Sequence, residues 1–300
     1  MAARHSIARG ISILCTVVVL FGVAAFLLTL ATGGRFSSGL TLGGRVGVVE
    51  VSGVITESDD VVEALRDFER SPAVEAVVVR IESPGGGVAH SQEIYGAILE
   101  LRETKPVVAS LGGVAASGGY YVASACDAIV ANPGTITGSI GVIIELGNIQ
   151  GLLQKIGVEA EVLKAGEYKD MGSPVRPLTE SERRLFQQMI DSVHAQFVAA
   201  VVGGRRMEEA KVRELADGRI FSGEQARTLG LVDALGGLQE AIAMAGERAG
   251  IVGEPRVTRA RVGREPWWLR LLLGNLTRLG MLPARQALGL QLIYGGPFLR

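Results

Sequence analysis

Apolar and polar positions divide the chain into stretches of different character. Residues 11–31 are 21 consecutive positions without a charge. At 1.5 Å rise per residue that predicts a helix of about 31 Å, matched to a bilayer's hydrocarbon thickness. Residues 33–44 are rich in Gly, Ser and Thr, as in a flexible stalk. From Arg45 onward short β-branched runs alternate with amphipathic ones. Residues 46–51 and 74–81 read as buried strands, and between them Val61, Val62, Leu65 and Phe68 recur at helical spacing. The alternation predicts a helix at 92–102, a strand at 107–110, a helix from Ser117, and strands at 128–131, 140–144 and 161–163. Thr179-Glu180-Ser181-Glu182 has the form of a capping box and starts a long helix. Its stripe Leu185, Met189, Val193 and Phe197 is a face for the core or a sister subunit. Shorter helices follow at 207–216, 223–229 and 238–249. Repeated βαβ units of this kind build a mostly parallel sheet covered by helices, with chemistry in the loops at strand ends.

Composition narrows the reading. The formal charge of −1, with no dense basic cluster, excludes a nucleic-acid footprint. The two cysteines, Cys15 and Cys126, give no disulfide framework. Three dispersed histidines, His5, His90 and His194, offer no ligand spacing for a metal, so no metal or cofactor is expected. The 11–31 run is too long for the apolar region of a cleaved signal peptide, which spans about 7–15 residues. It is read as an uncleaved anchor. Arg4 and Arg9 before it favour a cytoplasmic N-terminus and an extracytoplasmic folded domain, although Arg35 and Arg45 weaken the bias. The expected organisation is a cytoplasmic segment 1–10, an anchor 11–31, a stalk 32–44, one α/β domain 45–250 and a tail 251–300. The tail holds both tryptophans, Trp267 and Trp268, among leucines and arginines, and associates either with the membrane or with the protein itself.

Candidate chemistry begins at Gly113-Val114-Ala115-Ala116-Ser117-Gly118-Gly119-Tyr120. A serine at a helix start is by default an N-cap. Its small neighbours leave the hydroxyl uncovered, and the helix start offers amide donors to an oxyanion, so Ser117 is equally a candidate nucleophile. Ser83-Pro84-Gly85-Gly86-Gly87 follows a strand; such turns are mostly just turns, yet glycine lets a substrate backbone approach and an amide point at its carbonyl. No Gly-Lys-Ser/Thr follows to make it a phosphate loop. Lys169 lies between Glu167 and Asp170, which suits a solvated surface lysine; as a base it would have to be uncharged, as apolar surroundings favour. Ser139 in Thr137-Gly138-Ser139-Ile140-Gly141 could orient such an amine. A histidine base, His90 or His194, lacks supporting context.

Ser83-Pro84-Gly85-Gly86, Ala115-Ala116-Ser117-Gly118-Gly119-Tyr120-Tyr121, Thr137-Gly138-Ser139-Ile140-Gly141-Val142 and Tyr168-Lys169-Asp170-Met171-Gly172-Ser173-Pro174, in this order, resemble the signal peptide peptidase A group of Ser-Lys peptidase family S49. The resemblance spans 45–249 and implies a Clp-protease-like or crotonase-like α/β core. It implies Ser117 as nucleophile, Lys169 as general base, Ser139 as the hydroxyl holding the lysine amine, and the amides of Gly86 and Gly118 as oxyanion hole. It further implies hydrolysis of remnant signal peptides and other apolar peptides at a prokaryotic cell membrane. Single-core chains would assemble into a homo-oligomeric ring, an octamer, in which neighbouring subunits complete each site. Glu82 departs from the pattern, where Asp or Asn is common. A crotonase-like acyl-CoA enzyme and a non-catalytic membrane scaffold are the alternatives.

Overall fold

The computed structural model describes residues 44–260 and the backbone of 291–293. Within them an eight-stranded sheet runs in the order β7-β6-β4-β2-β1-β9, with β5 and β8 joined through β4. Its central strands are β1 (Arg45–Ser52), β2 (Val74–Ser83) and β4 (Val107–Ala116), all mutually parallel. The shorter strands around them are β5 (Ala128–Ala131), β6 (Ile136–Gly138), β7 (Ile220–Ser222), β8 (Ala234–Leu235) and β9 (Arg256–Arg259). Only the β6–β7 pair in this sheet is antiparallel. A separate three-residue strand, β3 (Gly85–Gly87), pairs antiparallel with β10 (Gln291–Ile293) and bridges Ile55 in the parallel sense.

The central strands are apolar on both faces, as parallel strands buried between helices must be. Val49, Val51, Val77, Val79, Ile81, Val107, Ala109 and Leu111 turn to one side and meet helices α1 (Asp59–Arg70), α2 (Val88–Arg102), α3 (Gly118–Ser124) and α5 (Glu180–Arg205). Their alternates Val46, Val48, Ala76, Val78 and Val108 face Ala241, Ile242 and Ala245 of α8 (Leu238–Arg248). The remaining helices are α4 (Gln150–Lys155), α6 (Glu209–Leu215) and α7 (Gly223–Leu229). Polar groups fasten the layers. The Tyr120 hydroxyl, fully buried, donates to Leu231 O at 2.8 Å. Arg205 clasps Asp233 through two hydrogen bonds, and Asp233 in turn accepts from Ile129 N.

Four expectations need correction. The strand expected at 140–144 lies earlier, at Ile136–Gly138, because only those residues reach the end of β4 to pair; from Val142 on the chain leaves the sheet. Residues 161–163 form no strand: Val162 and Leu163 are exposed and pair with no strand among the described residues. The serine strand runs six residues further than expected, to Ala116, by way of a bulge. The sheet also extends past residue 250, since Arg256–Arg259 pairs with β1. The expected anchor at 11–31 lies outside the described residues. Among those described, no helix is long and apolar enough to cross a membrane.

Candidate active site

Two neighbouring parallel strands end at the same edge of a sheet, so the loops that leave β2 and β4 are brought together. Ser83 is in register with Ala115, which sets the Ser-Pro-Gly-Gly-Gly turn beside Ser117. On the other side Ala116 pairs with Gly138, and Ser117 N donates to Gly138 O at 2.8 Å. Ser139, one residue past that partner, therefore sits at the same edge as Ser117. Thr137 Oγ1 donates to Ala115 O at 2.7 Å and fixes this register from the β6 side.

Ser117 occupies a sharp strand-to-helix turn with φ 53° and ψ −117°. Positive φ costs a non-glycine residue about 1–3 kcal/mol and persists only where the surroundings impose it. Its hydroxyl makes no capping bond to α3, which removes the N-cap reading. Contrary to expectation the residue is covered, at 1% exposure, because α3 starts against β3 and α2. A Cβ on Gly118 would lie 2.6 Å from Ser91 Oγ and 3.2 Å from Gly85 Cα. Ser117 Oγ is buried without a hydrogen-bond partner. An unpaired buried hydroxyl costs about 1–3 kcal/mol, so a stable protein carries one where it has use for it. Ser139 shares the unusual backbone, with φ 51°, its N–H donating to Arg219 O.

The glycine turn is built as a strand paired with Ile55 on one edge and with β10 on the other. Ile55 N donates to Gly85 O and Gly87 N donates to Ile55 O, both at 2.8 Å. Strand alternation then turns Gly86 N–H and C=O to the opposite edge, the edge on which Leu292 pairs. The Gly86 amide lies close to the start of α3, since a Cβ on Gly118 would come within 3.2 Å of Gly86 N. Gly85 needs φ 107° to make the turn, and buried Ser83 accepts from its N–H at 3.1 Å. Sequence reasoning missed the parts played by Ser83 and Thr137, which appeared only as motif letters.

Lys169 stands in different surroundings from the two buried serines. It lies exposed in the loop between α4 and α5, and among the described residues no hydrogen bond joins it to Ser117 or Ser139. Its loop is nonetheless pinned. Asp170 takes Arg176 Nε at 2.8 Å and Lys164 Nζ at 2.5 Å, and Arg176 reaches on to buried Glu182 in the capping box of α5. Arg176 and then Lys164 hold the Asp170 carboxyl far below the usual carboxylate range. Arg176 and the Thr179 amide bring Glu182 down to about 2.

A strained serine, two nearby amide groups and a strand-accepting edge are the parts of a peptide-cleaving site. The model of peptidase family S49 matches residues 100–252. The chain belongs to this family and is a serine protease. Relatives of the S49 chain include a Synechocystis sp. protein whose name marks it as a protease candidate, 46% identical over 209 residues that span 69% of this chain and 75% of that one. Serine protease SPPA, chloroplastic, of Arabidopsis thaliana is 38% identical over 78% of this chain but only 35% of its own length. Protease 4 of Salmonella typhi is 33% identical over 69% and 35%. Membership of S49 sets aside the acyl-CoA and scaffold alternatives. The histidine alternative has no geometric support either. His90 Nδ1 and His194 Nε2 are buried without hydrogen-bond partners, as is the Ser117 hydroxyl, so neither bonds to it.

Proposed function

We propose that this S49 protease is a membrane-anchored endopeptidase cleaving apolar peptides, among them remnant signal peptides, in an extracytoplasmic domain whose site is shared between subunits. Ser117 is the nucleophile and Lys169 of a neighbouring subunit the general base. The observation that carries the reading is the buried, unpartnered Ser117 hydroxyl on a strained turn, beside the amides of Gly86 and Gly118. The substrate lies as an antiparallel strand on β3, in the place and sense that β10 takes in this chain, and so displaces β10 when it binds. Ser117 Oγ passes its proton to the uncharged Lys169 amine and bonds to the scissile carbonyl carbon. The carbonyl oxygen becomes an anion held by Gly86 N–H and Gly118 N–H. Protonated Lys169 then returns the proton to the leaving amine, and water hydrolyses the acyl-enzyme by the same route. Ser139, at the same sheet edge, accepts from the lysine amine and orients it.

Sharing between subunits is supported by the arm that carries Lys169. Ile143, Leu146, Ile149, Leu152, Ile156 and Leu163 are all exposed, Ile156 at 63% and Leu163 at 91%. Apolar residues gathered on one arm mark an interaction surface, and a second copy that covers them would also dry the lysine. The test mixes Ser117→Ala and Lys169→Ala chains, each inactive alone, by co-expression. Statistical mixing in a closed ring regenerates about a quarter of wild-type sites when base and nucleophile come from different chains. A mixed assembly as inactive as its parents would place both groups in one chain, and hydrolysis by Lys169→Ala alone would remove the lysine as base.

A further inference from the structure

Glu82 is the residue just before the glycine turn, and its position in the fold gives it a task. Between Ile81↔Leu111 and Ser83↔Ala115 the register of β2 against β4 slips, so that Glu82 alone faces Gly112, Gly113 and Val114. Such a bulge leaves backbone N–H groups without ladder partners. The Glu82 carboxylate supplies them, taking Gly113 N at 2.9 Å and Val114 N at 3.1 Å. Arg80 stands 3.6 Å from the same carboxylate and donates to Ser110 Oγ at 3.0 Å and Leu111 O at 3.3 Å, just before the bulge. From the opposite side Thr135 Oγ1 donates to Gly112 O at 2.7 Å. Gly112 has no room for a side chain, because a Cβ there would run into the Glu82 carboxylate and lie 3.1 Å from Arg80 Nη2. The bulge ends two residues before the strained turn at Ser117.

We infer that Glu82, seated against Arg80, is the positioning residue for the nucleophile: its carboxylate closes the 112–114 bulge and so sets where Ser117 leaves β4. The inference rests on Ser117 being the nucleophile. A carboxylate suits the place because it is acceptor-only and offers one oxygen to each N–H, whereas an amide keeps a single acceptor oxygen. Loss of the clamp lets the strand end drift, and a misplacement of about 1 Å at a reacting atom costs on the order of 100-fold in rate.

The experiment follows acylation of Ser117 by a fluorophosphonate and hydrolysis of an apolar peptide, with the assembled protein as sample. Glu82→Ala is expected to lower the acylation rate and kcat about 10- to 100-fold with KM within about threefold. Glu82→Gln, which keeps one acceptor for the two N–H groups, is expected to recover part of that loss. Wild-type rates in Glu82→Ala would overturn the inference, as would a loss no larger than the unfolded fraction that Glu82→Gln fails to rescue. If Glu82→Ala does not fold, Gly112→Ala keeps the carboxylate but crowds it; slowed acylation there supports the clamp and an unchanged rate overturns it. A wild-type protein that is not labelled at Ser117 would instead sink the nucleophile reading, and the clamp with it.

Discussion

Replacing Gly86 by alanine tests the oxyanion geometry most directly. A Cβ at that position would sit 2.5 Å from Ile55 N and 2.7 Å from Ile55 C, inside any tolerated contact. Both atoms are backbone, and Ile55 is held by its bonds to Gly85 and Gly87, so no side chain can swing away. Relief requires β3 to move off Ile55 by about 1 Å, a displacement that costs on the order of 100-fold when it falls on a catalytic group. The two Ile55 hydrogen bonds weaken together, which removes about 1–3 kcal/mol of stability. On the proposed mechanism the Gly86 amide then leaves the place where the anion forms, and loss of one such donor lowers kcat about 100- to 1000-fold. Gly86→Ala is therefore expected to be folded and assembled, with a melting temperature reduced by roughly 2–12 °C, kcat down by about 100-fold or more and KM little changed. Steady-state peptide hydrolysis and a thermal melt on the same sample check this. An alanine variant with wild-type kcat would refute the reasoning, because no arrangement of β3 keeps both the Ile55 bridge and the amide in place beside a Cβ.

Two further outcomes are expected. Tyr120→Phe removes the donor to Leu231 O in a site closed to water, leaving a buried carbonyl unpaired at a cost of about 1–3 kcal/mol; the urea midpoint should fall with an unchanged slope, and an unmoved midpoint would mean that the carbonyl finds another donor. Arg176→Met should loosen the Lys169 loop in a pH-dependent way. Asp170 and Glu182 have pKa values held below the ordinary carboxylate value, so their contribution is present above about pH 4 and is lost as pH falls toward the folded values, about 2 for Glu182. Without Arg176 that loss begins at a higher pH, since only Lys164 and the Thr179 amide still hold the carboxyls down; hydrogen exchange of residues 164–176 would report amide protection lost at higher pH than in the wild type. Equal protection in both proteins from pH 3 to 7 would remove the arginine from this role.

The sheet was readable because its centre is apolar on both faces. Val74–Ser83 and Arg45–Ser52 are runs of valine that fit only a buried parallel strand, and the helices between them announce themselves by spacing. Strands that exist by pairing alone were not readable. Gly85–Gly87 has no side chain to signal a strand, and Ile136–Gly138 is three residues long; each is defined by what lies next to it in space. The apolar 161–163 run misled for the converse reason, since hydrophobicity without a neighbour to pair with does not make a strand. Within the site, motifs identified Ser117, Ser139, Gly86 and Gly118 by chain position, and the sheet register brings their loops to one edge. The two-residue slip that gives Glu82 its task depends on how two strands align. Only Gly112-Gly113, an adjacent pair inside a strand, hinted at it.

On the proposed mechanism the exposure of Lys169 in the single chain has a chemical logic. A serine protease whose base is a lysine needs that amine uncharged, and water favours the ammonium. On the proposed mechanism an arm that holds the lysine in solvent keeps the single chain from working, while Asp170, Arg176 and Glu182 already shape its loop. The nucleophile half is prepared in the same sense: Ser117 is strained, buried and unpaired before any base arrives. Burying the exposed arm against a second copy would bring the amine out of water and to the serine in one event, so proteolysis would be tied to assembly rather than to the fold of one chain. The apolar residues of the arm and the lysine it carries then serve one purpose, which explains why a loop so poorly buried is so firmly cross-linked by charge.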